Sequence, residues 1–185
     1  MKNITIYTIG IVLAAASFLL DKAALNFFKL INNDFVTALM SVVTVLGSSL
    51  AVVILTTLIF MFSKKNRKYL PVLWITLIIG YLLTSLLKTL TARERPESLL
   101  IEETGFSFPS GHSVAVFAPF IIIKKHFPKL KLYWIILAAI VLFSRLYLGA
   151  HYLSDVIAGA LIGYLVGDLV IMASDKLKIS KFLKF

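Results

Sequence analysis

Three short stretches of the chain carry residue types that could handle a phosphate group. The first is KTLTARERP, residues 88–96. If the helix holding Lys88 runs on to Arg95, the two cations lie on one face about two turns apart, and Pro96 stops the helix. Two cations held in that way suit an anion with several oxygens, above all a phosphate. The second is FPSGHS, residues 108–113. Ser110 is a natural N-cap, Gly111 lets an anion approach the first free backbone N–H groups, and His112 sits in the same turn, within reach of a proton transfer. The third is SRLYLGAHYLSD, residues 144–155. Arg145 ends one helix, Gly149 and Ala150 make a tight turn, and His151 and Asp155 are four apart at the start of the next, which puts both on one face. A carboxylate there fixes the imidazole tautomer and favours its cationic form, as suits a histidine nucleophile or general base.

Each stretch has a plainer reading. Lys88 and Arg95 snorkel to headgroups, PSGH is an ordinary helix start, and His151 with Asp155 caps a membrane helix. Taken jointly, the three point to one phosphate pocket with three cations, a helix N-terminus, a histidine to attack and a second to donate a proton.

The elements that must position these residues are apolar helices. Of 185 residues, 59% are hydrophobic and 15% charged, with a mean hydropathy of +0.94, a composition of integral membrane proteins. Six runs near the length needed for about 30 Å of hydrocarbon fall at 4–20, 36–62, 69–90, 111–123, 133–148 and 151–173. The expected fold is therefore all-α: a polytopic six-transmembrane-helix bundle forming a single membrane-embedded domain over residues 1–185. Segment 22–31, KAALNFFKLI, reads as a short interfacial helix on the outer surface, and the tail DKLKISKFLKF as a similar surface on the inner side. The first run resembles a signal peptide in layout but is read as an uncleaved helix.

The chain has no cysteine, which excludes disulfides, thiolate nucleophiles and cysteine metal sites. The net charge of +10 does not imply a nucleic-acid partner, because 13 of the 19 Lys and Arg fall at Lys2, 63–68, 124–131 and the tail, at every second connection. That pattern predicts cytoplasmic N- and C-termini in a plasma (inner) membrane and an extracytoplasmic site. His126 and Asp168 fall on the inner side and are read as topology or packing residues.

Lys88, Arg95 and Pro96 fit K-x6-R-P, PSGH stands at 109–112, and Ser144, Arg145, His151 and Asp155 fit S-R-x5-H-x3-D. The chain thereby resembles the type 2 phosphatidic acid phosphatase superfamily. The resemblance implies a metal-independent phosphatase without a cofactor, acting through a phosphohistidine. His151 would be the nucleophile, Asp155 its orienting partner and His112 the acid. Lys88, Arg95, Ser110, Gly111 and Arg145 would bind the phosphoryl oxygens. Arg93 belongs to no motif and is left outside the expected site. Expected substrates are membrane lipids: undecaprenyl diphosphate, phosphatidylglycerol phosphate, phosphatidic acid or lipid A 1-phosphate, with no obligate protein partner. A lipid phosphotransferase using the same phosphohistidine and a small anion transporter remain the alternatives.

Overall fold

A computed structural model describes residues 2–97 and 100–177 of the chain. Its elements are α1 (Lys2–Leu30), α2 (Asp34–Leu46), α3 (Ser49–Met61), α4 (Leu70–Thr91), α5 (Gly111–Phe117), α6 (Phe120–His126), α7 (Lys131–Tyr147) and α8 (Leu153–Lys176), with single 3-10 turns at Arg67–Tyr69 and Pro128–Leu130. The regular elements among the described residues are all helices, as expected. Four helices are long and apolar enough to cross a membrane, or five spans if α2 and α3 are taken as one bent pass.

The expected helices differ from the observed ones in three places. Segment 22–31 is not a separate interfacial helix but the C-terminal third of α1. It contains no glycine or proline to stop the preceding run, and its Ala, Leu and Lys favour continuation. The expected second span is broken into α2 and α3, bent by 56°. Ser48 starts a new helix by accepting a hydrogen bond from the Ala51 N–H at 3.2 Å, and Gly47 lies so close to α7 that a Cβ would stand 2.2 Å from Val141 Cγ1. The expected fourth span is divided into two seven-residue helices, α5 and α6. Pro119 lies at the break and lacks the N–H that would carry the hydrogen-bond ladder onward. The tail lysines Lys178, Lys181 and Lys184 lie outside the described residues.

Helix α8 is the axis of the bundle, packed against α1, α4, α5 and α6. Its contact with α5 depends on three glycines one turn apart. A Cβ on Gly159 would stand 2.7 Å from Ser110 O, one on Gly163 2.6 Å from Val114 O, and one on Gly167 2.3 Å from Ala118 O. Small residues of this kind let helix backbones touch where lipid removes any hydrophobic drive for helices to associate. Beside this seam, Val52, Phe60, Leu73, Val116, Ile122, Ile123, Trp134 and Val141 form a core, in which Trp134 Nε1 donates to Val116 O at 2.8 Å. Leu19, Phe35, Leu50, Phe62 and Leu90 are largely exposed, an outward apolar surface suited to lipid.

At the other end of α6 and α8 from the predicted site, His126 stacks on Tyr69 with ring centroids 3.7 Å apart, and Asp168 accepts a hydrogen bond from the Tyr7 hydroxyl. Both are packing contacts remote from the predicted site.

A side chain in the glycine seam should push α5 off α8. Gly163→Val is expected to destabilise the protein by about 1–3 kcal/mol, the usual cost of overpacking, and to lower activity, since α5 carries Gly111 and His112. Thermal unfolding in detergent would measure it, with the lipid-facing Leu169→Val as a control that leaves the midpoint unchanged.

Candidate active site

The predicted residues are assembled at one end of α4, α5, α7 and α8 by three local devices. Helix α4 stops at Thr91, not at Arg95: Ala92 takes a left-handed conformation (φ 45°) while its N–H donates to Lys88 O. The chain therefore turns before Arg93, and Pro96 plays no part in ending the helix. Instead of lying two turns above Lys88, Arg95 is held across the loop that follows. Its Nε donates to Gly105 O at 3.1 Å, one Nη to Thr104 O at 3.1 Å and the other to Ala150 O at 2.8 Å. That last nitrogen is 3.5 Å from His151 Nε2. Lys88, in the last turn of α4, donates to Phe106 O, so both cations brace the loop 92–110.

Ser110 caps α5 as expected, its hydroxyl accepting from the Ser113 N–H at 3.4 Å. Its own N–H donates to Asp155 O at 3.0 Å, which fastens the start of α5 to the first turn of α8. A Cβ on Gly111 would meet nothing nearer than Thr84 Cγ2 at 3.7 Å, so the space beside this glycine is open. His112 lies in the electrostatic reach of Arg145, Glu103 and His151.

The third device is the turn between α7 and α8. The Ala150 N–H donates to Arg145 O at 3.1 Å and Gly149 adopts φ 63°, a conformation glycine takes without steric cost. His151 precedes α8, which begins at Leu153, so His151 and Asp155 do not share a helical face. They meet through a capping box: Asp155 Oδ2 accepts from the Tyr152 N–H at 2.9 Å and lies 3.5 Å from His151 Nδ1. Arg145 is fully buried; one Nη donates to Thr44 Oγ1 at 2.5 Å and the other to Glu103, while Nε has no hydrogen-bond partner.

Four participants escaped the sequence reading. Arg93 pairs with Asp21 and Asp155 at 2.7 Å each. Thr44 holds Arg145. Glu103 sits between the two motif arginines, bonding Arg145 and lying 3.4 Å from Arg95. An aspartate within the apolar run of α1 was the only local sign of Asp21, and nothing distinguishes Glu103 from its neighbour Glu102 along the chain.

Electrostatics follow from these contacts. Burial by itself would raise the Glu103 carboxyl, but Arg145, which bonds it directly, and Arg95 outweigh burial and hold it below the ordinary carboxylate range. His151 lies in the turn outside either long helix. There burial, the largest influence, joined by Arg145 and Arg95, outweighs Asp155 and lowers the imidazole to about 4. The expectation of a cationic His151 is thus reversed. Desolvation and two arginines disfavour a further positive charge, and the neutral ring keeps the lone pair that a nucleophilic attack needs.

Residues 68–178 match the family described as the PAP2 superfamily. The chain belongs to that superfamily. It is 33% identical over 198 residues to phosphatidylglycerophosphatase B of Bacillus subtilis, spanning 96% of this chain and 97% of that protein. It is 32% identical over 165 residues to undecaprenyl-diphosphatase of Sulfolobus acidocaldarius, spanning 83% and 80%. The crystal structure of a transmembrane PAP2-type phosphatidylglycerolphosphate phosphatase from Bacillus subtilis superposes with a TM-score of 0.78 at 27% identity, covering 94% of this chain and 96% of that one. This PAP2 protein is a phosphoric ester hydrolase. Its reading from the three motifs agrees with the family.

Glu103 occupies both motif guanidiniums, the groups expected from sequence to hold a phosphate. Glu103→Gln removes that internal anion and is expected to tighten competitive inhibition by inorganic phosphate by roughly tenfold, about 1.4 kcal/mol. An inhibition constant measured beside wild type would check this.

Proposed function

We propose that this PAP2 protein hydrolyses the phosphate monoester or diphosphate head of a membrane lipid through a phosphohistidine on His151, without a metal. The observation that carries the lipid reading is an apolar groove of about 460 Å³ whose lining runs from Leu77, Tyr81 and Val53 to Thr84, Lys88 and Gly111. Eleven residues of α4 separate Leu77 from Lys88, a rise of ~16 Å, which is about half the hydrocarbon thickness. The groove thus joins the proposed phosphate site to a slot one leaflet deep, a shape that suits a lipid whose head meets Lys88 while a tail lies along α4. Undecaprenyl diphosphate, phosphatidylglycerol phosphate, phosphatidic acid and lipid A 1-phosphate all present that combination.

The reaction follows from the contacts. Neutral His151 attacks phosphorus through Nε2, forming a P–N bond as the bond from phosphorus to the leaving oxygen breaks. Charge gathering on the equatorial oxygens meets Lys88, Arg95, Arg145 and the N–H groups at the start of α5, with phosphate taking the place of Glu103 and of the loop carbonyls that hold those cations. His112, made cationic by the negative charge of the adjacent phosphate, gives its proton to the leaving oxygen, an effect usually worth about 10² to 10⁴ in rate. Water then attacks the phosphohistidine, His112 takes its proton, and phosphate leaves with His151 restored. Asp155 keeps the His151 Nδ1 side facing a carboxylate throughout.

In the membrane, α1, the bent α2 and α3 pair, α4, the divided α5 and α6, α7 and α8 make six passes of one domain. The basic connections at 63–68 and 124–131 face the cytoplasm with both termini, and the site opens outside.

Purified protein in detergent is expected to release phosphate from at least one of the four lipids in the presence of EDTA, and His151→Ala to abolish it. Loss of release in EDTA, or release surviving the substitution, would reject the mechanism. A second expectation concerns pH. Because the His151 value is lowered to about 4, the attacking neutral form persists above it. The acid limb of kcat/KM should therefore appear only below about pH 5, where the free enzyme protonates.

A further inference from the structure

Asp21 and Arg93 belong to none of the three motifs, and Asp21 lies in α1, outside the residues that match the family. Yet the two form a chain of contacts that ends on the proposed nucleophile. The Arg93 guanidinium is divided between two carboxylates: one Nη donates to Asp155 Oδ1 and to Ser154 Oγ, the other to Asp21 Oδ2, each at 2.7 Å. Asp21 in turn accepts from the Ser154 N–H at 2.8 Å and from the Ser154 hydroxyl at 2.6 Å. The guanidinium carbon lies 4.1 Å from the centroid of the Tyr152 ring and 5.3 Å from that of Phe18, which leaves little freedom to swing.

The consequence falls on Asp155, whose side chain is wholly buried. With Oδ1 taken by Arg93 and Oδ2 accepting from the Tyr152 N–H, the carboxylate has one orientation, and it is Oδ2 that faces His151 Nδ1. Without the guanidinium, two buried carboxylates would lie near one another unneutralised, a costly arrangement. We propose that Asp21 and Arg93 are positioning residues of the reaction: α1 supplies the anchor, Arg93 transmits it, and Asp155 is thereby held in the rotation that aims His151. The first helix is on this view part of the catalytic apparatus, not only a membrane anchor. This inference rests on the phosphohistidine reading above.

The test uses the full chain in detergent with a lipid phosphate that wild type hydrolyses. Asp21→Asn and Arg93→Lys are mild changes; the lysine has one ammonium and cannot reach both carboxylates with separate donors. Each is expected to lower kcat by about 10- to 100-fold, the range seen when a group orienting a functional histidine from behind is lost. KM and the inhibition constant of inorganic phosphate should stay within about twofold, because the phosphate-binding cations are untouched. The double variant should fall no further than the worse single one, since both act through the same carboxylate.

Full kcat in both single variants overturns the proposal. So do a KM and phosphate inhibition constant that worsen in step with kcat, which would mark a clamp on the fold, and losses that multiply in the double variant. A His151→Ala control separates the two claims. Turnover surviving in it overturns the phosphohistidine reading and this proposal together, whereas turnover lost there beside full kcat in the two variants overturns this proposal alone.

Discussion

Asp155 joins three separate elements around the site. Its carboxylate accepts from Arg93 and from the Tyr152 N–H and faces His151, while its carbonyl accepts from the Ser110 N–H at the start of α5. One residue thus ties the cap of α8, the loop that follows α4 and the cap of α5. An ionised carboxylate in so dry a place is tolerable only with a cation and hydrogen bonds around it. That requirement explains why the surrounding contacts are so completely committed, and why α1 is drawn in through Asp21.

The rest of the bundle is arranged so that this polar cluster can exist at the end of an apolar body. Between helices in lipid, close contact and satisfied polar groups take over from hydrophobic burial. The glycines at 159, 163 and 167 let α8 touch the backbone of the α5 region, which brings Ser110 to Asp155. The breaks at Gly47 and Pro119 cost helical hydrogen bonds, but each allows an element to change direction near a neighbour. Through the first break, α2 presents Thr44 to Arg145, and the second leaves α5 free to follow α8 as a short separate helix. Irregular backbone inside a membrane protein is tolerated where it is covered by protein, and Gly47 and Pro119 are themselves buried.

The cations of the candidate site show the same economy of charge. Arg145 and Arg95 share Glu103, and Lys88 and Arg95 spend donors on loop carbonyls. Each of these cations therefore has a protein partner. A neutral His151 fits this balance, since a further positive charge beside two arginines in a desolvated turn would be opposed from three sides.

How much could be read along the chain depended on whether the signal was local. Apolar runs of spanning length reveal the helices, and the residues Lys88, Arg95, Ser110, Gly111, His112, Arg145, His151 and Asp155 stand in three patterns each set by one turn or one cap. Residue types and short spacings determine such patterns, so the family and the hydrolase class were legible from sequence. The continuation of α1 through residue 30, the turn at Ala92 and the division of the second and fourth spans were not, because packing against other helices selects among conformations that the local residues all permit. Nor were Arg93, Asp21, Glu103 and Thr44. Asp21 meets Arg93 across 72 positions, Glu103 meets Arg145 across 42 and Thr44 meets Arg145 across 101. Ion pairs and hydrogen bonds between distant segments leave no periodic trace in either segment. Which carboxylate enters a dry interior, and which guanidinium meets it there, is decided only when the helices come together and water is excluded.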